Sequence, residues 1–462
     1  MSGRPDAQSV EAARKLEVRK RLREVEEAIL ARAPEHTPEP SLERVAQVME
    51  LLGDPQATFP VVHLTGTNGK TTTTRVIERV LREMGLSTGR FTSPHLHDIR
   101  ERIALNGKSI DPERFIQTYD DVLPYVQMVD DRSQQQGEPR MTYFELLVVM
   151  AYAAFSDAPV DVAVVEVGLG GTWDATNVAD GKVAVITPIS IDHQRLLGDT
   201  IGEIAMEKRD IIKPGAIAVV GRQDPAVDEL IAEKALEVEA TVVREDTQFE
   251  VTALDTAVGG QQISVRGLAG EYTDLFVPLF GQHQAHNVAT GIAAVEAFVG
   301  GGEQPLDKQV LQAALAELTS PGRLEIVRRS PTVLVDAAHN PAGVQALRDA
   351  MNDSFTFGRL IGVLSIFKDK DVLAMLEALE PVFDEVVITR NSSHRAMNPT
   401  ELGALAAEVF GEDRVTVQPD LLEAIDRAAE LADEGGVSGG VLATGSVVTA
   451  ADVRKLLGKT DT

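Results

Sequence analysis

Apolar positions along this chain follow two alternating rhythms. Residues 8–32 carry Leu and Ala at helical spacing among Glu and Arg, and Ser41 is placed to cap a second helix running to Leu52. The rhythm then shortens to a β-branched run, Phe59-Pro-Val-Val-His-Leu-Thr65, followed by Gly-Thr-Asn-Gly and a helical stretch from Lys70 to Met84. Apolar runs at 160–167, 183–187 and 216–220 predict further strands, with helices over 142–155, 200–212 and 225–237. Strands separated by helices imply βαβ units and a mainly parallel sheet covered on both faces. Residues 240–280 alternate in short segments such as Gln262–Val265 and Leu275–Leu279, which predicts a small antiparallel patch. Helices follow over 283–299 and 307–318. At Ser320-Pro-Gly-Arg323 the alternation restarts, with strands near 332–335, 359–364, 384–389, 414–417 and 440–444. The predicted fold is α/β: a mainly parallel sheet domain over 1–318, opening with a helical extension over 1–40, and a smaller Rossmann-like domain over 319–462. Gln134-Gln-Gln136 reads as a loop.

Composition narrows the function classes. A chain of 462 residues is long enough for two cores, and 44 % hydrophobic with 25 % charged residues excludes a disordered chain. Its 44 Lys and Arg against 71 Asp and Glu give a net charge of −27, and no five consecutive residues are basic, which argues against a nucleic-acid-coating surface. An anionic ligand must be held by a few local cations. The absence of cysteine removes disulfides, thiolate zinc sites and thiol nucleophiles together. Met1 to Ser9 is polar, with Arg4 and Asp6 and no apolar signal core behind them, and Leu146–Phe155 is too short to cross a bilayer. The expectation is a soluble cytoplasmic monomer without nucleic-acid or membrane partners.

The segment His63-Leu-Thr-Gly-Thr-Asn-Gly-Lys-Thr-Thr72 falls where a strand passes into a helix. Gly66, Thr67, Asn68 and Gly69 would close backbone N–H groups around phosphate oxygens at the positive end of that helix. Lys70 would reach the β- and γ-phosphates, and the hydroxyl of Thr71 or Thr72 would face magnesium. Leu64 stands where the common P-loop pattern requires glycine. A tight turn with a solvated lysine is the alternative, but strand, turn, lysine and helix in that order favour a P-loop domain binding ATP. Glu166 ends a predicted strand before Gly168, Gly170 and Gly171, Ser93 follows the strand containing Phe91, and His193 follows the strand 183–187. All three are expected at the ligand-binding edge of the sheet, where oxygen donors suit Mg²⁺.

The short loop Gly66-Thr-Asn-Gly-Lys70 resembles that of the Mur ligase superfamily. Further segments narrow the resemblance to folylpolyglutamate synthase/dihydrofolate synthase: Thr92-Ser-Pro-His-Leu96, Glu166-Val-Gly-Leu-Gly-Gly171, Asp174-Ala-Thr-Asn177, Asp192-His193, Glu207-Lys208, His283-Gln284, Asn287, Pro321-Gly-Arg-Leu-Glu325, Asp336-Ala-Ala-His-Asn-Pro341, Lys368-Asp-Lys-Asp371 and Gly445-Ser446. The resemblance runs from about residue 41 to the C-terminus and rests on the order and spacing of these segments together. It implies an ATP-dependent carboxylate–amine ligase that adds L-glutamate to dihydropteroate, to reduced folates, or to both, through an acyl phosphate. It implies two Mg²⁺ ions, one on Ser93 and Glu166 and a second helped by His193, with Lys70, His193 and Lys208 as the catalytic set. Asn287, Arg323, Asp336 and His339 would contact the nucleotide, the last three from the second domain. Ala337 departs from the commoner Asp-Gly-Ala-His. Thr92, Pro94 and His95 would help enclose the pterin, with Glu145 as a further substrate contact.

The lysine matching Lys208 is carbamylated in the family, giving N6-carboxylysine; read alone, Lys208 is a surface lysine paired to Glu207 or Glu203. Arg209-Asp210 stands where family members commonly carry Ala-Gly. Arg395 either holds an incoming carboxylate or is a solvated loop arginine. His95 and His97 are expected in a loop role rather than as a metal pair, and Trp173 is expected to pack at the domain seam. The rival readings are a Mur-type ligase acting on a cell-wall precursor and a nucleotide-binding regulatory protein without ligase activity.

Overall fold

A computed structural model describes residues 7–33, 41–434 and 438–459; Arg4 and Asp6 of the polar N-terminal stretch lie outside the described residues. Helix Ala7–Leu30 and helix Leu42–Leu51 come first, the second capped by the Ser41 hydroxyl accepting the Glu43 N–H.

The main sheet has eight strands: β1 (Val61–Thr65), β2 (Thr88–Phe91), β3 (Ile103–Leu105), β4 (Lys108–Ser109), β5 (Val162–Glu166), β6 (Gly181–Ile186), β7 (Ile217–Val220) and β8 (Thr241–Arg244). Their spatial order is β4-β3-β2-β5-β1-β6-β7-β8, parallel except at the β4-β3-β2 edge. Both β1 and β5 are buried along their whole length, as strands covered on two faces must be. From β1 the chain crosses to β2 on one side, while β6, β7 and β8 build the other. The carboxyl end of β1 is therefore a topological switch point, where open α/β sheets hold ligands. Register levels the neighbouring ends: Leu64 pairs with Glu166 and with Val185, and Phe91 pairs with Val165. One apolar layer packs helices Leu42–Leu51, Pro112–Gln135 and Tyr143–Asp157 on one face of the sheet. Another seats helices Lys70–Glu83, Gln282–Gly300 and Lys308–Ala316 on the opposite face.

An antiparallel three-stranded sheet follows, β9 (Glu250–Ala257), β10 (Gly260–Arg266) and β11 (Glu271–Val277), in the order β11-β10-β9. The last sheet comprises β12 (Glu325–Arg329), β13 (Thr332–Val335), β14 (Arg359–Leu364), β15 (Glu385–Ile388), β16 (Val415–Val417) and β17 (Gly439–Thr444), ordered β12-β13-β17-β14-β15-β16. Only β12 runs antiparallel, and apolar layers cover both faces.

Four features depart from the sequence reading. Strands β3 and β4 form an antiparallel edge of the main sheet where no strand was expected. Gln134 and Gln135 close the long helix Pro112–Gln135 rather than lying in a loop, and Gln136 is its C-cap. Strand β8 extends the main parallel sheet instead of the antiparallel patch. Strand β12 adds an antiparallel edge where no strand was expected.

Candidate active site

The carboxyl edge of the main sheet faces the last sheet across a cavity of about 540 Å³. The loop Gly66–Gly69 forms its floor. Gly66 has φ 144° and Gly69 has φ 89°; a Cβ on Gly66 would fall 1.9 Å from the Thr187 hydroxyl, and one on Gly69 2.4 Å from Asn287 Oδ1. These glycines let the loop pass between β6 and helix Gln282–Gly300, and Gly69 turns the chain into helix Lys70–Glu83. Thr67 and Asn68 direct their backbone N–H groups to the Pro188 carbonyl, and the Thr67 hydroxyl donates to the Ser190 carbonyl. The loop is therefore braced from the β6 side.

Two lysines converge here. Lys70 Nζ donates to the carbonyls of Gly66 (2.9 Å) and Thr67 (3.1 Å), while Lys208 Nζ donates to the same Gly66 carbonyl at 2.9 Å. Lys208 is 4 % exposed, so the surface-lysine alternative is corrected. Burial, reinforced by the Lys70 charge, lowers its pKa from 10.5 to about 7; burial lowers Lys70 as well. Arg209 and Asp210 turn away from this pair, Arg209 to the Leu230 carbonyl at 2.8 Å and Asp210 to Lys234 at 3.3 Å. The departure from Ala-Gly does not crowd Lys208.

Glu166, 1 % exposed at the end of β5, accepts the Thr71 hydroxyl on Oε1 at 2.9 Å, while Oε2 makes no hydrogen bond within 3.5 Å among the described residues. Burial raises its pKa against the pull of Lys70 and the Thr71 bond. Buried Ser93 and half-buried His193 line the same cavity. Unpartnered carboxylate oxygen beside two hydroxyls is a hard-oxygen donor set and fits Mg²⁺. His193 takes a left-handed conformation, φ 52°, at the start of helix Gln194–Leu197.

From the opposite side come Arg323, Asp336 and His339. Asp336 accepts the N–H groups of Leu324 and Ala338, both at 2.8 Å, and so ties the Arg323 turn to the end of β13; burial raises its pKa. Asp192 is the junction of the two halves. Asn340 donates to it at 2.9 Å, Lys370 pairs with it at 2.5 Å, and His339 Nε2 lies 3.6 Å away. Burial alone would raise Asp192, but its neighbours His339, His193 and Lys370 hold its carboxyl well below the usual range. Asn68 and Asn340 also bond each other across the seam at 3.3 Å. Sequence reasoning assigned no role to Asp192, Asn340 or Lys370, although each falls inside a quoted segment. Nothing in the sequence pointed to Arg222, Glu245 and His286, which also line the cavity.

The cavity gathers every predicted site residue except Thr92, which lies behind the loop with its N–H on the Arg102 carbonyl. Two of the predicted substrate contacts are held by side chains of opposite charge. Glu145 lines the cavity, but its carboxylate is held by Arg44 (2.8 and 3.2 Å) and by the Thr142 N–H. Arg395 pairs with Asp369 at 2.6 Å and lies over the Phe367 ring. His95 accepts from Arg102 at 3.0 Å, consistent with a loop role. Trp173 lines the cavity rather than only packing at the seam.

A phosphate-type loop facing a second α/β sheet across such a seam defines a class. Residues 64–295 match the Mur ligase middle domain and residues 322–447 the Mur ligase glutamate ligase domain. The chain is 48 % identical over 458 residues, 95 % of its length and 94 % of the relative's, to the dihydrofolate synthase/folylpolyglutamate synthase of Mycobacterium tuberculosis. The crystal structure of M. tuberculosis folylpolyglutamate synthase complexed with ADP and AMPPCP superposes with a TM-score of 0.91 at 47 % identity, covering 96 % of this chain and all of that one. An FPGS–AMPPCP–folate complex superposes with a TM-score of 0.80 at 30 % identity over 94 % of this chain and 99 % of the other. This chain belongs to the dihydrofolate synthase/folylpolyglutamate synthase family and is an ATP-dependent ligase. Among the described residues no helix is long and apolar enough to cross a membrane.

Proposed function

We propose that this enzyme joins the amino group of L-glutamate to the carboxylate of dihydropteroate, of a reduced folate, or of both, at the expense of ATP. The observation that carries the reading is the convergence of Lys70, Lys208 and Glu166 on one phosphate loop, with Arg323, Asp336 and His339 opposite. The relatives' ligands, ADP, AMPPCP and folate, are of the same chemistry.

The acceptor carboxylate attacks the γ-phosphorus, ADP leaves, and an acyl phosphate forms. The glutamate amine then attacks the acyl carbon, phosphate leaves with the carbon–oxygen bond pair, and the amine loses a proton to give the amide. The N-terminal end of helix Lys70–Glu83, entered through Gly69, and the Lys70 ammonium hold the phosphates and neutralise charge spreading over the transferring group. Arg323 approaches from the other half, so the clamp is complete only when both halves meet, and their meeting excludes water from the acyl phosphate. Asn287, beside Gly69, would contact the nucleotide. Glu166, Ser93 and Thr71 would hold one magnesium ion and His193 would help with a second; bound there, magnesium supplies charge neutralisation and orientation of the phosphates. Pro94, His95, Phe144 and Trp173 form the acceptor end of the cavity, and Arg395 stands ready to exchange Asp369 for an incoming carboxylate.

Lys208 carries N6-carboxylysine in this reading. Its neutral amine adds to CO₂, one N–C bond forms, and one proton is released to solvent.

ADP release is measured with L-glutamate and dihydropteroate, then with L-glutamate and tetrahydrofolate, with Lys70→Ala as the blank. Release that requires both glutamate and a pteroyl acceptor is the expected result. Release driven by UDP-linked sugars, or ATP binding without release for any acceptor, overturns it.

A further inference from the structure

Glu325, in the Pro321–Glu325 segment, and His97, in the loop after β2, have no part in the reaction above. They meet through a third, Arg454, to which no sequence motif pointed. Arg454 is 2 % exposed on helix Val447–Leu456, whose first residues, Val447 and Val448, line the cavity. Its NH1 bonds His97 Nε2 at 2.9 Å, and its Nε donates to Glu325 Oε2 at 2.8 Å. The same Glu325 oxygen accepts the backbone N–H of Gly322 at 2.8 Å. Gly322 has φ 70° and immediately precedes Arg323; Leu96 packs 3.7 Å from where its Cβ would be. A guanidinium donates only, so His97 accepts through a neutral Nε2 and carries its ring proton on Nδ1.

The consequence lies in what these bonds join. His97 belongs to the loop that carries Ser93, Pro94 and His95, the acceptor side of the cavity. Glu101 grips that loop from below, its carboxylate accepting the N–H groups of Leu96, His97 and Asp98 at 2.8–2.9 Å. Gly322 belongs to the turn that presents Arg323 to the nucleotide phosphates. On its other side that turn is tied by Ser320 to Thr72 of the phosphate-loop helix at 2.9 Å. The Arg323 turn is thus held from two directions, by the phosphate-binding helix and by the acceptor loop.

Resting on the ligase reading, we infer that His97, Arg454 and Glu325 are positioning residues that couple the acceptor loop to the Arg323 turn. The acceptor loop and the phosphate clamp then adopt their working positions together. The arrangement needs arginine in particular, because two bonds leave one planar group in different directions and a lysine ammonium cannot reproduce them at that separation. Loosening the turn lowers the fraction of enzyme with Arg323 in place, and nucleotide affinity falls by that fraction.

The test is the binding of AMPPCP by titration calorimetry to the full-length native protein and to His97→Ala, His97→Gln and Arg454→Lys, with thermal midpoints measured alongside. His97 is outside the cavity lining, so a change in nucleotide affinity must be transmitted. His97→Ala is expected to weaken AMPPCP binding by about tenfold, the scale of one charge-assisted hydrogen bond. His97→Gln, which keeps an acceptor, is expected within about twofold of native, and the double variant His97→Ala/Arg454→Lys no weaker than the more affected single variant. Should Arg454→Lys fail to fold, the two His97 variants decide alone. Unchanged nucleotide affinity in His97→Ala overturns the coupling, as does equal weakening by alanine and glutamine. This readout uses no acceptor, so failure of the ligase reading appears in the ADP-release assay and failure of the coupling appears here.

Discussion

Single side chains divide into those held for chemistry and those held for structure, and Lys208 and Glu145 illustrate the division. Folded Lys208 gives up its proton near pH 7 because burial and Lys70 disfavour its charge. An unfolded lysine keeps its proton to about 10.4, so between those values the unfolded chain binds the extra proton, and this group's contribution to stability rises with pH. Below the folded value Lys208 is charged in both states and the burial penalty is fully present. CO₂ uptake needs the neutral amine and follows the same step. Carbon-13 NMR with labelled bicarbonate should therefore show a carbamate signal that grows as pH passes about 7; the signal should be missing in Lys208→Arg. Glu145 behaves differently. Its side chain and that of Arg44 are each 5 % exposed and bonded twice, and the same carboxylate closes the capping box of helix Tyr143–Asp157. Glu145→Ala leaves a buried guanidinium without its carboxylate and should cost about 3 kcal/mol in urea unfolding. A pure substrate contact would instead raise acceptor KM at unchanged stability.

At the scale of elements, the turn from β1 into helix Lys70–Glu83 carries the tightest constraint. Gly69→Ala would need φ 89° with a side chain and would drive its Cβ against the Asn287 amide. Loss of ATP binding by about 100-fold or more, with the circular dichroism spectrum retained, is expected, since strain of about 1–2 kcal/mol adds to the displaced Asn287 contact. Elements of this kind were legible in the sequence because strand, glycine turn and helix each leave their own local signal. Helix Pro225–Glu237 was legible for the same reason, with Asp224 as cap and proline in its first turn. Helix Pro112–Gln135 was not, although Asp111-Pro112 starts it and Phe115, Tyr119, Val122, Val126 and Val129 line its buried side. Its exposed side is so charged, and Pro124 so disruptive to the pattern, that the apolar stripe was diluted. Strand β8 was missed for a different reason: whether Thr241–Arg244 joins the main sheet or the small one depends on pairing partners far along the chain. The site followed the same logic. Residues in glycine turns and strand ends could be read locally, whereas the partners of Glu145 and Arg395 are 101 and 26 residues away.

For the whole molecule, the decisive fact is that one N-terminal carboxylate receives the other half. Asp192 precedes His193 and takes Asn340 and the approach of His339 from the loop after β13, and Lys370 from the loop after β14. Lys370 and Asp192 are each 7 % exposed at the side chain, so bulk salt screens them little and the pair holds the halves together at ordinary ionic strength. Removing the lysine leaves Asp192 with only neutral or titrating partners at a buried seam, a loss of about 2 kcal/mol or more where such pairs have been cut. Lys370→Ala should therefore raise the KM for ATP on the order of 30-fold. It should also widen the molecule in solution scattering without lowering the unfolding midpoint of either half, because each sheet keeps its own two-faced core. On the proposed reading the phosphate loop alone would bind ATP from one side, and the Arg323 turn would complete the clamp only while the seam is closed. Binding energy from the nucleotide is then spent partly on closing the halves, which is why the loss should appear in KM for ATP and in molecular dimensions together. An unchanged scattering profile with a raised KM would make Lys370 a direct phosphate contact instead, and Asp192 merely its resting partner.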